Sequence, residues 1–343
     1  MLTSIHIQGF KNFKDTQITP LRKVNLILGG QNVGKTSLLE AVYLGTSPAG
    51  NAQRLPSAFR SVEGHDIQRF LAMTFKAQVG GGHIGLEVDL GDGLHGESLT
   101  VFNQARPKKC PGAQIGGWGG DGVQFAQFAD VDKLKHMYED EDGTIPTSIM
   151  KFVPDIFPVP LTVSVMPTGQ QESVQLFDQV VLKRKKRILL DALRRIEPRL
   201  EDMHSLSPDG EQRVYLELMG LATAVPLPQL GHGFGRLLHL YCSLLVTDVR
   251  LALIDEVENG IHYASLPILF KGVQDMATTQ GVQTLMTTHS WDCIRAAYKT
   301  FADAGCLKDF QLIRLEREGD NVRAVVINDD MLDTVMEAGY EVR

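Results

Sequence analysis

The rhythm of apolar and polar positions changes along the chain and divides it. Residues 3–9 and 23–28 are apolar runs of strand length. Leu38, Leu39, Val42 and Tyr43 recur at helical spacing, so 35–46 is predicted as a helix with Gly45 as its stop. Residues 47–66 are polar and hold Pro48 and Pro56, which predicts a loop. From 70 to 102, apolar runs such as HIGLEVDL and SLTVF alternate with Gly-rich turns, the pattern of a small antiparallel sheet. GGWGGDG (116–122) and EDEDG (139–143) are loop compositions, and PLTVSVM (160–166) predicts a further strand.

Helical periodicity takes over from 172 to 203. ESVQLFDQVVL and KRKKRILLDALRRI predict two helices, the second ending at Pro198. Then strands and helices alternate. FGRLLHLYCSLLVTD, HYASLPILFKGVQDMATT and SWDCIRAAYKTFADAG are helical, while RLALIDE, VQTLMTT, DFQLIRLERE and NVRAVVIND are strand-like. Such alternation implies βα units on a mostly parallel sheet. The predicted organisation is a first lobe over 1–170 with the antiparallel subdomain, a basic helical insertion over 171–206, and a second lobe over 207–343.

The chemistry sits at the ends of apolar strands. Gly29-x-x-x-x-Gly34-Lys35-Thr36 follows the strand at 23–28 and opens the helix at 35, the P-loop pattern in its required context. Glycines let backbone N–H groups turn toward phosphate oxygens, and the helix N-terminus adds partial positive charge. Gly29, Gly30, Gln31, Asn32, Val33, Gly34, Lys35, Thr36 and Ser37 therefore form the expected ATP cradle. Lys35 reaches for the β- and γ-phosphates, and the Thr36 hydroxyl for Mg²⁺.

A second apolar strand ends in Asp255-Glu256. In a P-loop NTPase such a strand delivers one acid to the metal, here Asp255, and one to the attacking water, here Glu256. A third, VQTLMTT, ends beside His289, which is placed to contact the γ-phosphate at the sheet's carboxyl edge. The separation of Lys35 from Asp255 exceeds what a compact Ras-like core needs, so material is inserted between them.

These three motifs, in this order, resemble an ABC-class ATPase head of the RecF/SMC/OLD-like kind. IHIQGFKNFKD followed by NLILGGQNVGKTSLLEAVYL resembles the opening of RecF and OLD-family ATPases. ALIDEVENGIHYASL with MTTHSWDCI, and the ending MEAGYEVR, are similar to standalone OLD-like ATPases of antiphage-defence systems. The resemblance implies an α/β P-loop NTPase fold: an ABC-like head with a mixed sheet, a small antiparallel β lobe and a helical insertion. It also implies pairing of heads around ATP, with Gly231, His232 and Gly233 of PLPQLGHGFGRLL as the signature loop offered to the partner's nucleotide. Gly231 stands where transporter signatures carry a serine. Glu258, Asn259 and His262 fall in the loop that crosses between subunits, and Gln68 is a candidate Q-loop glutamine.

Composition and charge narrow the partners. A net charge of −7 argues against a polyanion binder as a whole, though a local patch remains open. LKRKKRILLDALRRIEPR (182–199) holds Lys183, Arg184, Lys185, Lys186 and Arg187, a face suited to double-stranded DNA, to an acidic partner protein, or to solvent alone. Four dispersed cysteines, with no C-x-x-C pair, argue against a zinc framework and for a reducing cytoplasm. No run of 18 apolar residues offers a membrane span, and no signal peptide opens the chain. OLD-family nucleases carry a TOPRIM domain after the head; here no D-x-D pair follows His289, and DVD (130–132) reads as loop. The expectation is an ATPase without its own effector, acting on a separately encoded nuclease or toxin. A RecF-like DNA clamp and an ATP-pinned scaffold are the alternatives.

Overall fold

The structure, a computed structural model, describes residues 1–46, 82–91, 94–103, 116–117, 124–128, 161–163, 170–246 and 250–337, and between 82 and 163 it describes backbone. The loop expected at 47–66, Gln68, and the acidic stretches at 130–132 and 139–143 lie outside these residues. Along the chain run β1 (Leu2–Phe10), β2 (Phe13–Ile18), β3 (Val24–Gly29), α1 (Lys35–Thr46), β4 (Gly82–Gly91), β5 (Leu94–Asn103), β6 (Gly116–Gly117), β7 (Gln124–Phe128) and β8 (Leu161–Val163). There follow α2 (Gln170–Leu182), α3 (Lys186–Leu193), β9 (Leu200–Leu206), β10 (Arg213–Leu218), β11 (Val225–Pro226), α4 (His232–Val246), β12 (Leu251–Ile254), α5 (Leu266–Thr279), β13 (Gln283–Thr287), α6 (Trp291–Asp303), β14 (Phe310–Glu318), β15 (Asn321–Ile327) and α7 (Asp329–Glu337).

The central sheet has the order β15-β14-β3-β13-β12-β8. β14, β3, β13, β12 and β8 are parallel, and β15 turns back antiparallel at the edge. Period-two alternation decides which face each side chain serves. Val24, Leu26, Leu28, Ala252, Ile254 and Met286 enter a core shared with the helices of the second half of the chain. Ile27, Leu251, Leu253 and Leu285 enter a second core with α1, β1 and β2. Both faces are therefore covered, which is why these strands read as unbroken apolar runs.

The antiparallel sheet, β2-β1-β4-β5-β7-β6, holds the expected hairpin of β4 and β5. It is tied to the central sheet by Gln283, whose amide donates to the Leu2 and Arg22 carbonyls and accepts from the Leu2 N–H. β2 was not anticipated. Phe13, Thr16 and Ile18 face inward in FKDTQI, and the Thr16 hydroxyl donates to the Val322 carbonyl on β15, so tertiary contact rather than apolar periodicity makes it a strand.

Three expectations need correction. Gly45 does not stop α1; it is buried inside a helix that continues to Thr46, whose hydroxyl donates back to Val42 O at 2.7 Å. The second basic helix does not run from 183 to Pro198: residues 183–185 form a turn, with Arg184 at φ +58°, and α3 ends at Leu193. Residues 200–206 are strand β9 rather than helix, and the boundary drawn at 206/207 falls in the turn of the β9–β10 hairpin. Its pattern is split between core and solvent, with Leu200 and Met203 buried, and three-residue spacing looks helical in so short a window.

Candidate functional site

Parallel β3, β13 and β12 bring their carboxyl ends to one edge, where open α/β sheets bind ligands. The loop after β3 needs unusual backbone. Gly29 has φ +149°, and a Cβ there would lie 2.6 Å from the Leu315 carbonyl oxygen on the neighbouring strand. Asn32 and Gly34 also have positive φ, while Val33 turns inward as a buried anchor. Gly30, Gln31 and Asn32 are exposed at the mouth, and Ser37 is buried in the first turn of α1.

Lys35 is 5% exposed. Its ammonium donates to Gly29 O at 2.7 Å and Gly30 O at 2.9 Å, and it lies 3.2 Å from Nδ1 of His289. Three partners match its three donors, and an accepting Nδ1 puts the imidazole proton on Nε2. Burial pushes the Lys35 pKa below its usual 10.5, against the opposing pull of Asp255, Glu256 and Glu258.

The acidic strand end is held from several sides. Thr36 Oγ1 donates to Asp255 Oδ2 at 2.9 Å, and Thr287 Oγ1 donates to Asp255 Oδ1 at 2.5 Å. The same Thr287 oxygen accepts from the Glu256 N–H at 2.8 Å. Glu256 sits at φ +45°, a conformation non-glycine residues adopt only when their surroundings hold it. Its carboxylate is half exposed, 4.0 Å from Nε2 of His289. Arg236, from α4, donates to the carbonyls of Asp255 at 3.3 Å and Glu256 at 2.8 Å. Burial lowers its pKa, with Glu258, Glu256 and Asp255 acting the other way.

The structure thus brings Lys35, Thr36, Asp255, Glu256 and His289 together. A threonine hydroxyl beside a carboxylate is the hard oxygen donor set that suits Mg²⁺, and the exposed cradle above Lys35 suits a polyphosphate. Gly231 and Gly233 are not in this cluster. Gly233 instead packs on Gly260, where an added Cβ would stand 2.6 Å from the Gly260 carbonyl; His232 is the first residue of α4. Asn259 and His262 are exposed, whereas Glu258 turns back to accept from its own His289 N–H at 2.8 Å.

Sequence reasoning missed Thr287 and Arg236. Arg236 carried a signal, an arginine in the first turns of an otherwise apolar helix. Thr287 looked like any strand threonine until the neighbouring strand aligned Asp255 with it.

The basic run is largely engaged within the fold. Lys183 donates to Val246 O and Lys185 to Leu245 O at 2.7 Å, so both satisfy the carboxyl end of α4. Lys186 pairs with Asp202 at 2.7 Å. Arg184 and Arg187 face solvent. No described helix is long and apolar enough to cross a membrane.

The fold is that of a P-loop ATPase head similar to SMC heads, with parts of the chain similar to AAA domains and to RecF. A family described as "AAA domain, putative AbiEii toxin, Type IV TA system" matches residues 135–292, and another described as "AAA domain" matches residues 4–80. The chain is 24% identical over 337 residues to an ATP/GTP phosphatase of Helicobacter pylori, covering 86% of each protein. It is 36% identical over 83 residues to the DNA replication and repair protein RecF of Nitrosococcus oceani, which is 24% of this chain and 22% of RecF. Among solved structures, an SMC head bound to the C-winged helix domain of ScpA has the same fold, with a TM-score of 0.59, 11% identity and coverage of 98% of this chain and 99% of that one. The SMC head domain from Thermotoga maritima gives 0.53 at 11% identity, covering 96% and 99%.

Proposed function

We propose that this chain binds and hydrolyses ATP as a cytoplasmic ABC-class head, pairs with a second copy around the nucleotide, and through that pairing controls a separately encoded effector. The observation that carries the reading is the convergence of Lys35, Thr36, Asp255, Glu256 and His289 at one sheet edge, with Thr36 and Asp255 2.9 Å apart. Lys35 and the N–H groups of residues 29–37 bind the phosphates. Mg²⁺ held by Thr36 and Asp255 would offset charge developing on the phosphate oxygens. Glu256 takes the proton of the attacking water, and His289 donates from Nε2 toward the γ-phosphate.

Pairing is supported by the placement of the signature-like loop. Gly233 stands against Gly260, a Cβ at Gly231 would meet open space, and none of the hydrogen bonds that gather Lys35 involves this segment, which leaves its backbone for the nucleotide of a second head. Control of an effector rests on the similarity to standalone OLD-like heads and on the toxin-system description of the family matching 135–292. The RecF match covers only 24% of this chain and 22% of RecF, and three of the five clustered cations already have partners in the fold, so DNA gripping is the lesser reading.

The test is Glu256→Gln with ATP and Mg²⁺. The variant is expected to accumulate as an ATP-bound pair or larger even-numbered assembly by light scattering, with turnover about 100-fold or more below wild type. Monomers at saturating ATP would overturn the pairing. Wild-type turnover equal to that of Lys35→Ala would favour a scaffold in which ATP is structural, and turnover raised by double-stranded DNA would favour the clamp.

A further inference from the structure

The β9–β10 hairpin carries a cluster of side chains that the nucleotide site does not use. Asp202 and His204 are two apart on β9 and so share a face, and Glu217 of β10 lies directly across from Asp202 in the register. Three potential ligand atoms, one from each residue, lie within 4.8 Å of one another. Nε2 of His204 is 3.0 Å from Glu217 Oε1 and 3.5 Å from Asp202 Oδ2. Yet this nitrogen, shut off from solvent although the ring is 37% exposed, makes a properly directed hydrogen bond to neither.

Those spacings have a simple chemical meaning. Ligand atoms about 2.1 Å from a zinc ion stand about 3.0 Å apart at a right angle and about 3.4 Å apart at the tetrahedral angle. Separations of 3.0 and 3.5 Å between atoms that make no directed hydrogen bond match those of neighbours around a shared centre. Asp202 is also oriented as a ligand. Its Oδ1 accepts from Lys186 Nζ at 2.7 Å and from the Met203 N–H at 2.7 Å, which leaves Oδ2 directed to His204. Outer partners of this kind fix the geometry of metal ligands. A neutral imidazole and two carboxylates, with the lysine charge alongside, give a site of net charge −1 with mixed nitrogen and oxygen donors.

We propose that Asp202, His204 and Glu217 form a site for a divalent transition metal of the zinc class. One imidazole with two carboxylates selects a borderline cation over Mg²⁺ or Ca²⁺, which prefer oxygen alone. Three protein ligands leave room for water, as the partial exposure of all three residues allows. The bound cation cross-links β9 to β10 and, through Asp202 and Lys186, fastens the hairpin to α3. From β10 the chain passes through β11 and the turn at Leu227–Leu230 to Gly231, so the clamp steadies the strand pair that leads into the signature-like loop.

The test uses the full chain, stripped with chelator and dialysed against micromolar Zn²⁺. Elemental analysis is expected to find one more zinc per wild-type chain than in His204→Ala or Glu217→Gln, and Asp255→Asn is expected to keep that zinc, which separates this site from the nucleotide site. Zinc should raise the Tm of wild type by about 3 °C and leave both variants unmoved. Equal zinc content in wild type and Glu217→Gln, which removes one ligand charge without shortening the side chain, would overturn the proposal. So would a zinc-independent Tm in wild type, leaving the cluster an ion pair between a protonated imidazole and two carboxylates.

Discussion

Lys35 Nζ and His289 Nδ1 meet at 3.2 Å, joining two residues 254 positions apart. The hydrogen bond links the phosphate-seeking lysine to the histidine at the end of the adjacent strand. Both side chains address the same phosphate in the proposed reaction, so the contact holds the imidazole with Nε2–H directed away from the lysine. His289→Ala is expected to lower ATP turnover by about 100-fold while ATP affinity changes only a few-fold. Equal losses in binding and turnover, measured by nucleotide titration beside steady-state kinetics, would make His289 a ground-state binding residue instead.

Arg236 gives a second prediction. It connects the helix after the signature-like loop to the backbone of Asp255 and Glu256. Arg236→Leu removes a charged donor from two carbonyls and should cost about 2 kcal/mol in urea unfolding. Turnover should fall further than folded stability explains, because Glu256 loses support for its positive φ. Arg236→Lys should rescue only in part, since an ammonium lacks the planar fork of the guanidinium. Full rescue by lysine would show that charge alone matters.

His239 sets a pH dependence. It lies buried in α4 with no hydrogen-bond partner for Nδ1. Burial, reinforced by the Arg236 charge, pulls its pKa from 6.5 to about 4. The folded pKa is the lower one, so between these values the unfolded chain binds the extra proton and stability falls as pH falls. The loss begins near 6.5 and reaches about 3 kcal/mol once pH drops below about 4. In denaturant melts, wild type should lose about 3 kcal/mol relative to His239→Leu as pH falls across that range; parallel curves would show that burial does not depress the His239 pKa.

Much of the site was legible because its signals are local. Gly29 to Ser37 is one strand–turn–helix unit, and the loop's positive φ values explain the glycines and asparagine that marked it. LALIDE was legible because a strand covered on both faces must be apolar until it reaches the polar edge. What misled was short-range periodicity without its neighbours. Helical character was read as far as residue 203, but pairing with β10 makes 200–206 a strand. Lys183 and Lys185 read as part of a cationic face, yet the open carboxyl end of α4, 60 residues or more away in sequence, takes both as donors.

By itself, the sequence determined the elements of the central sheet and the residue types at their ends, since binary pattern and glycine backbone freedom act over a few positions. Only the tertiary structure decided which side chains meet: Thr287 with Asp255, Arg236 with Glu256, Lys35 with His289, and Asp202 with His204 and Glu217. Lys35 and His289 are 254 positions apart, and Thr287 and Asp255 end strands separated by a helix, so these meetings depend on strand order and register. Those are fixed by burying two apolar faces of one sheet at once, a condition that no local stretch of sequence contains.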